Sequence, residues 1–225
     1  MMRLLILLFL GYISIFAQER DPNELLKTIQ TEFNKIKDYT VDIEIDIDVN
    51  YVDAPNSKAK LYFKQPDKIK IETDGFAILP KQGIVFSPSE LLSESYTAIL
   101  VKSEPLDSFM VDVIKVVPLT DSSNIILSTL WVDPLYRVIR KIESVTKNMG
   151  TITIYLSYES DYPQLPSKAK FFFNMAKIGH AAMFNNSKNN DSNKEKKGIS
   201  GTVIIKYSNY LINQGLDDSI FVEEE

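Results

Sequence analysis

Cysteine is absent from this chain of 225 residues, and histidine occurs once, at His180. Without cysteine there is no disulfide framework, no thiolate metal site and no lipid-modified cysteine. One histidine cannot supply a zinc-ligand cluster, and a cysteine or serine nucleophile would need it as its base. The sequence also has no glycine-rich phosphate loop and no nucleophile elbow. We therefore expect a protein that is not an enzyme and that holds no cofactor or metal.

Basic residues are outnumbered by acidic ones, 25 against 30, and the net charge is −5. An acidic chain without a basic patch does not suit a phosphate backbone, so we expect no nucleic-acid partner. Asp46 and Asp48 share one face of a predicted strand and are the best candidates for a pair of catalytic carboxylates. Such pairs need surroundings that separate their pKa values, and an exposed acidic row does not provide them. An exported hydrolase is thus the weakest hypothesis.

Long hydrophobic runs are limited to the N-terminus. Arg3 precedes an uncharged stretch from Leu4 to Phe16, and Ala17 is followed by polar residues. A basic start, a short apolar segment and a small residue are typical of a secretory signal peptide. The stretch is shorter than the ~20 residues of a membrane-spanning helix. We predict cleavage after Ala17 and one exported, soluble, monomeric domain over residues 18–225.

The segment Thr40–Val52 alternates strictly between apolar and polar residues. In a strand this pattern produces one apolar face and one acidic face. The run is about twice the common strand length, which favours a long curved sheet. Other parts of the protein must cover the apolar face. They either pack on it permanently, as in an ordinary core, or can be displaced by an apolar ligand.

The segment Asp21–Lys37 predicts an amphipathic helix directly before that strand. Asp21 suits the N-cap, Pro22 the first helical position, and Glu24 completes a capping box. One face of the helix is apolar and carries Leu25, Leu26, Ile29, Phe33 and Ile36. This helix either packs permanently on the sheet or also acts as a movable cover.

The remaining strands are short and separated by turn residues, without long helices between them. This spacing predicts a meandering antiparallel sheet, with the two lysine-rich strands Lys58–Lys64 and Lys68–Glu72 beside the acidic strand. Residues 174–200 are rich in Asn, Lys and Ser and predict a surface insertion. The other predicted strands are Lys58–Lys64, Lys68–Glu72, Tyr96–Val101, Phe109–Val117, Ile125–Val132, Arg137–Ser144, Thr151–Glu159, Lys168–Phe173 and Gly201–Tyr210.

The order of these parts resembles the outer-membrane lipoprotein-sorting superfamily, the LolA/LolB-like periplasmic carriers. The similarity runs from the signal peptide, capped helix and long strand through Leu61–Glu72, with its proline and basic-aliphatic-basic pattern. It continues at Leu130–Pro134, where a strand ends in a turn aspartate, and at Tyr207–Phe221 near the C-terminus. No single motif identifies the family, and the resemblance depends on the order of these segments along the chain.

The resemblance implies an α+β fold, mainly antiparallel, in which a strongly bent, half-open β-barrel has helices covering its concave face. It implies a periplasmic carrier of acylated lipoproteins or related lipids toward the outer membrane. Its partners would be an inner-membrane release complex and an outer-membrane acceptor. An arginine usually holds the covering helices in this family, and Lys68 and Lys70 occupy that neighbourhood as a possible latch. The cavity would be lined by Val41, Ile43, Ile45, Ile47, Val49, Leu61, Phe63, Ile69 and Ile71.

The lysines and the insertion at residues 174–200 both depart from the family pattern. Lysine lacks the planar fork of arginine, so the latch would be weaker or absent. The alternative function is therefore a periplasmic sensor or interaction module of the same fold. In that case the insertion and the acidic C-terminal tail would contact a membrane-protein partner.

Overall fold

A computed structural model of the protein describes residues 20–50, 56–73, 87–88, 92, 95–147, 150–159, 163–175 and 199–222. These residues form one α-helix, ten strands and a short 3-10 helix. The helix α1 is Pro22–Phe33 and the 3-10 helix is Asp218–Phe221. The strands are β1 (Asp38–Val49), β2 (Ser57–Lys64), β3 (Lys68–Thr73), β4 (Tyr96–Leu106), β5 (Phe109–Pro118), β6 (Ile125–Asp133), β7 (Val138–Thr146), β8 (Gly150–Tyr158), β9 (Pro166–Met175) and β10 (Ile199–Ile212).

All ten strands belong to a single antiparallel sheet in the order β3-β2-β1-β10-β9-β8-β7-β6-β5-β4. Neighbours in the sheet are also neighbours in sequence except where β1 joins β10. Within the described residues, β3 and β4 are the two outer strands and do not pair with each other. The predicted antiparallel meander is therefore confirmed, and the sheet is open rather than closed.

Strand β1 has the two faces that its sequence predicts. Val41, Ile43 and Ile45 are buried, whereas Glu44 and Asp46 between and beyond them are exposed. The strand begins earlier than predicted, at Asp38. Strands β2 and β10 flank it, and both place lysines opposite its acids. The acidic face is thus a solvated outer surface whose cross-strand charge pairs help to set register.

Helix α1 begins as the sequence predicts. The Asp21 side chain accepts a hydrogen bond from the backbone N–H of Asn23 at 2.8 Å, and Pro22 occupies the first helical turn. These features satisfy N–H groups that the helix itself leaves unpaired. The helix ends at Phe33 rather than Lys37, so Ile36 lies in the connection to β1. It is the one α-helix that is described over its full length, where several covering helices were expected. Pro88 is also helical, and its carbonyl accepts a hydrogen bond from Leu92 N at 3.0 Å.

The predicted strand Tyr96–Val101 ends before Ser103–Pro105 because the sequence indicates a break there, and this prediction is wrong. Strand β4 continues to Leu106 and pairs with β5 along its length, with a register shift between Leu100 and Lys102. A bulge and a proline are both tolerated in β4 because it is an outer strand. Beyond the bulge, Lys102 and Glu104 lie opposite Val113 and Val111 of β5.

The sheet bends around α1. Arg20, before the helix, contacts Asp112 of β5, and Phe33 at its end contacts Phe63 of β2. The twelve residues of α1 span about 18 Å, and the helix has Cα atoms within 8 Å of strand β4. Strands β4 and β2 are eight spacings apart, about 38 Å along the sheet. A flat sheet would place these strands too far apart for so short a segment to touch both. The concave face is the one that carries α1.

Two predicted features fall largely outside the described residues. One is the signal peptide, residues 1–17. The other is the insertion: β9 runs to Met175 and β10 begins at Ile199, so its core, including His180, is not described. The division into signal, domain and insertion therefore stays a prediction.

Candidate functional site: an apolar concave face

One row of apolar side chains crosses eight strands of the concave face. Each member is the registered partner of the next, which places them side by side across the sheet. All eight belong to, or pack against, the same hydrophobic core. In order from β4 to β1 the row is Leu100, Ile114, Leu130, Ile142, Ile154, Phe171, Val203 and Ile47.

Helix α1 packs into the core that contains one fully buried region of this face, which we call the helix-covered region and define by Val41, Ile43, Ile45, Leu61 and Phe63. All five side chains are buried. The helix contributes Leu26, Ile29 and Phe33 to the same core, and the Phe33 and Phe63 rings lie 6.2 Å apart. A cavity of about 10 Å³ lies between Ile29 and Phe33 of the helix and Val138 and Ile139 of β7. That volume holds at most one water molecule.

A second region of the same face is less well covered. Ile47, Val203, Phe171 and Ile154 lie next to one another on β1, β10, β9 and β8, and each is only partly buried. We call these four residues the open patch. It continues the helix-covered region along β1, because Ile45 and Ile47 point to the same side. An apolar ligand could therefore contact the open patch first and extend beneath α1 only if the helix moved.

The architecture is shared with solved structures of very different sequence. A DUF1329 family protein from Desulfovibrio piger aligns with a TM-score of 0.58 at 13% identity, covering 90% of this chain and 98% of that one. A putative outer membrane lipoprotein-sorting protein domain from Vibrio parahaemolyticus gives 0.56 at 13% identity, covering 89% and 97%. A LolA superfamily protein from Nitrosomonas europaea gives 0.56 at 12% identity, covering 88% and 97%. This chain has the LolA-like fold. Neither a protein-family model nor a curated protein matches the sequence.

In this LolA-like fold, the predicted cavity residues lie on one connected face but differ in burial. Phe63 pairs with Ile69 and Leu61 with Ile71, which extends the face to the outer strand β3. There Ile69 is exposed and Ile71 is half-buried. The predicted lid residues are also placed together: Leu26, Ile29, Phe33 and Ile36 are buried, and Leu25 is partly buried against them. Val49 is buried at the far end of β1. That these residues bind a ligand stays a prediction.

The two candidate latch lysines form ion pairs away from α1. Lys68 contacts Asp218 of the C-terminal 3-10 helix at 2.9 Å, and Lys70 contacts Glu72 of its own strand at 3.2 Å. Lys64 reaches the same Asp218 at 2.6 Å. These contacts attach the C-terminal segment to β2 and β3. The latch role of Lys68 and Lys70 stays a prediction that these ion pairs do not support.

A different ion pair holds the N-terminal end of α1, and the sequence analysis missed it. Arg20 donates two hydrogen bonds to Asp112 of β5, from Nε at 2.8 Å and from Nη2 at 3.1 Å. The Ser103 hydroxyl donates a third at 2.6 Å. Asp112 is 1% exposed while Arg20 is 56% exposed. A lone aspartate in the apolar run of β5 was the available sequence signal, but its partner lies 92 residues away.

The C-terminal end of α1 is held by more contacts. The Asn213 side chain accepts a hydrogen bond from Lys37 N at 2.6 Å and donates one to Lys35 O at 3.2 Å. Gln65 donates to Ile36 O from its side chain at 2.6 Å and to Lys37 O from its backbone at 2.9 Å. Four hydrogen bonds thus join this connection to two separate loops. The N-terminal end is the more weakly fixed of the two, because its one ion pair is largely exposed on the arginine side.

A cluster of tyrosines lies beside the helix-covered region. Tyr39 stacks on Phe63 at 5.0 Å and meets the edge of Tyr210 at 5.6 Å, and Tyr210 lies 6.3 Å from Tyr207. Burial raises the pKa values of these three tyrosines and of Tyr158, so they are neutral at physiological pH. A partly open polar cavity of about 280 Å³ adjoins Tyr207 and Tyr210. Their hydroxyl groups place polar atoms beside the helix-covered region.

Among the described residues, no group of three or more histidine, aspartate or glutamate side chains is arranged to hold a metal ion. Within the same residues, α1 is too short and too polar to be a membrane span.

Proposed function

We propose that this protein is a periplasmic carrier that binds acyl chains of lipoproteins, or of related lipids, against its concave face. The cargo would be received from an inner-membrane release complex and delivered to an outer-membrane acceptor, with the protein acting as a monomer. The observation that carries the proposal is the apolar row across eight strands, in which the four residues of the open patch are only partly buried. The signal peptide and the family resemblance support the location and the direction of transfer.

Energetic magnitudes make displacement of the helix reasonable. Burial of Leu26, Ile29 and Phe33 stabilises the closed form by roughly 5 to 9 kcal/mol, at about 1.5 to 3 kcal/mol for each side chain. An acyl chain that buries about ten methylene groups gains roughly 8 kcal/mol, at about 0.8 kcal/mol for each group. Because the two terms are similar, a lipid can replace the helix side chains at little net cost. The lipid can therefore bind by displacing the helix side chains, and no empty cavity is needed beforehand.

The decisive experiment compares two adjacent residues of β10 that lie on opposite faces. Val203 belongs to the open patch, whereas Ile204 lies on the outer face opposite Asp46 and Lys170, and both are partly buried. Wild type, Val203→Glu and Ile204→Glu would be purified from the native cell envelope and examined by native mass spectrometry. We expect acylated adducts on wild type and Ile204→Glu, and their loss from Val203→Glu, because a carboxylate in the patch must be desolvated by the bound chain.

Circular dichroism and thermal melting establish that both variants are folded. Absence of acylated mass from all three folded proteins would overturn the carrier proposal and favour the sensor alternative. Adducts retained on both variants would place binding elsewhere, and equal loss from both would mean that the effect is not specific to the open patch. The open patch is preferable to Ile45 for this test because Ile45 is fully within the core, and a charge there would unfold the sheet.

A further inference from the structure

Two neighbouring hairpin tips at one end of the sheet carry an exposed apolar cluster that the concave face does not use. The β4–β5 turn presents Phe109 and Met110, and the β6–β7 turn presents Leu135 and Tyr136. Met110, Leu135 and Tyr136 are 61%, 80% and 55% exposed. The Phe109 and Tyr136 rings meet edge to face at 6.2 Å. We call these four residues the apolar tip.

The strand register explains why the two turns are adjacent. Asp112 pairs with Val132 in the β5–β6 ladder. Continuing this register by two residues on each strand sets Met110 opposite Pro134, next to Leu135. The two turns therefore form one surface, although they are about 25 residues apart in sequence. Contiguous exposed apolar side chains on a folded protein usually mark an interaction surface, whereas single ones do not.

A buried aspartate, Asp133, and its partner Arg140 hold the apolar tip in place. Asp133 accepts hydrogen bonds from the backbone N–H groups of Leu135 and Tyr136, each at 3.0 Å, and contacts Arg140 Nε at 2.8 Å. The Arg140 guanidinium lies 3.2 Å from the centre of the Phe109 ring. Asp133 is buried, so its hydrogen bonds are shielded from water. The turn that carries the exposed leucine is thus rigidly built.

The form of the surface indicates its partner. The apolar side chains project from two turns instead of lining a groove, so they suit a fluid surface better than a preformed pocket. Tyrosine with its amphipathic ring is typical of the interface between lipid headgroups and acyl chains. Arg137 and Asp107 are exposed at the two turns, one of each sign. With a net charge of −5 for the whole chain, electrostatic attraction to an anionic bilayer is not expected.

We propose that the apolar tip docks the protein on a lipid bilayer by inserting Met110, Leu135 and Tyr136 into the headgroup region. Insertion is driven by apolar contact, and it takes place at zwitterionic as well as anionic surfaces. This inference goes beyond acyl binding on the concave face and does not depend on it.

Vesicle co-sedimentation tests the inference, with matched pairs of substitutions. The double variant Met110→Ser/Leu135→Ser removes two apolar side chains from the tip. Its control, Leu119→Ser/Ile126→Ser, removes two of similar exposure, 64% and 51%, from the opposite end of the sheet. We expect wild type and the control to bind phosphatidylcholine vesicles equally, and the tip variant to bind at least about tenfold more weakly, since each lost side chain removes apolar burial.

A second arm separates apolar insertion from electrostatic adsorption. Binding should persist in 0.5 M salt, because the Debye length there is only a few ångströms and charge attraction is screened. Trp131, the one native tryptophan, is first replaced by Phe. In that background, lipids brominated in the acyl chain should quench the fluorescence of Tyr136→Trp but not that of Leu119→Trp. No binding by wild type, equal loss in both double variants, loss of binding in high salt, or equal quenching at both tryptophans would each overturn the inference. Native mass spectrometry of the folded tip variant separates the two proposals. If it still carries an acylated adduct, the carrier function holds whether or not the tip binds membranes.

Discussion

The helix-covered region and the open patch belong to one apolar face but differ in what contacts them. Ile43 and Ile45 are buried in the core that α1 joins, whereas Ile47 and its partner Val203, further along the sheet, are only partly buried. The same strand pattern produces both regions, so the difference comes from what packs on the face and not from the sheet. A permanent core would need no such uncovered extension, while a ligand site would.

The largest contrast should appear when one aromatic ring is removed from each region. Phe63→Ala, in the helix-covered region, should lower the free energy of unfolding by about 3 to 5 kcal/mol, because it leaves a cavity beneath Phe33 and beside Tyr39. Phe171→Ala, in the open patch, should cost about 1 to 2 kcal/mol because its ring is only partly buried. Urea denaturation measures both. Equal costs would mean that the two regions form one uniform core.

A smaller effect is expected at the N-terminal end of the helix. Arg20→Ala removes the partner of a buried carboxylate, which is strongly destabilising where both groups are buried. Because Arg20 is more than half exposed, we expect a smaller loss of about 1 to 3 kcal/mol. Lys35→Ala, which removes an exposed pair with Glu32, is the control and should cost under about 0.5 kcal/mol.

Hydrogen exchange shows whether that loss is local. If the helix is a cover held by Arg20, amides of α1 should exchange faster in Arg20→Ala while those of β1 keep their protection. Uniform acceleration across α1 and β1 would mean that the helix is part of a single cooperative core. In that case α1 could not open separately from the sheet, and it would not be a movable cover.

The smallest effect concerns the C-terminal segment that borders β3. Lys64 and Lys68 lower the pKa of Asp218 to about 2. Because the folded-state pKa lies below the unfolded value of about 3.9, this carboxylate contributes stability above that value and loses it as the pH falls through 2. The Tm difference between wild type and Asp218→Asn should therefore shrink from pH 5 to pH 2. A constant difference across this range would mean that the two lysines contribute no pH-dependent stability.

Local patterns were sufficient for much of the fold. Alternation in β1, the cap at Asp21 and Pro22, and turn spacing in the later strands each depend on neighbours within a few residues, and each prediction is confirmed by the structure. The prediction of a break at Ser103–Pro105 was wrong because pairing of β4 with β5 outweighs the local preference of the proline for a turn. The assignment of Lys68 and Lys70 to a latch came from resemblance, and their ion pairs point to Asp218 and Glu72 instead.

By itself, the sequence determined that there would be an apolar sheet face and an amphipathic helix to set against it, since both follow from the period of the side chains. Only the tertiary structure decided which strands the helix covers, that Arg20 meets Asp112, and that two distant turns form the apolar tip. These outcomes depend on the curvature and register of ten strands together. Residues about 25 and 92 positions apart became neighbours, and no local period encodes such a distance.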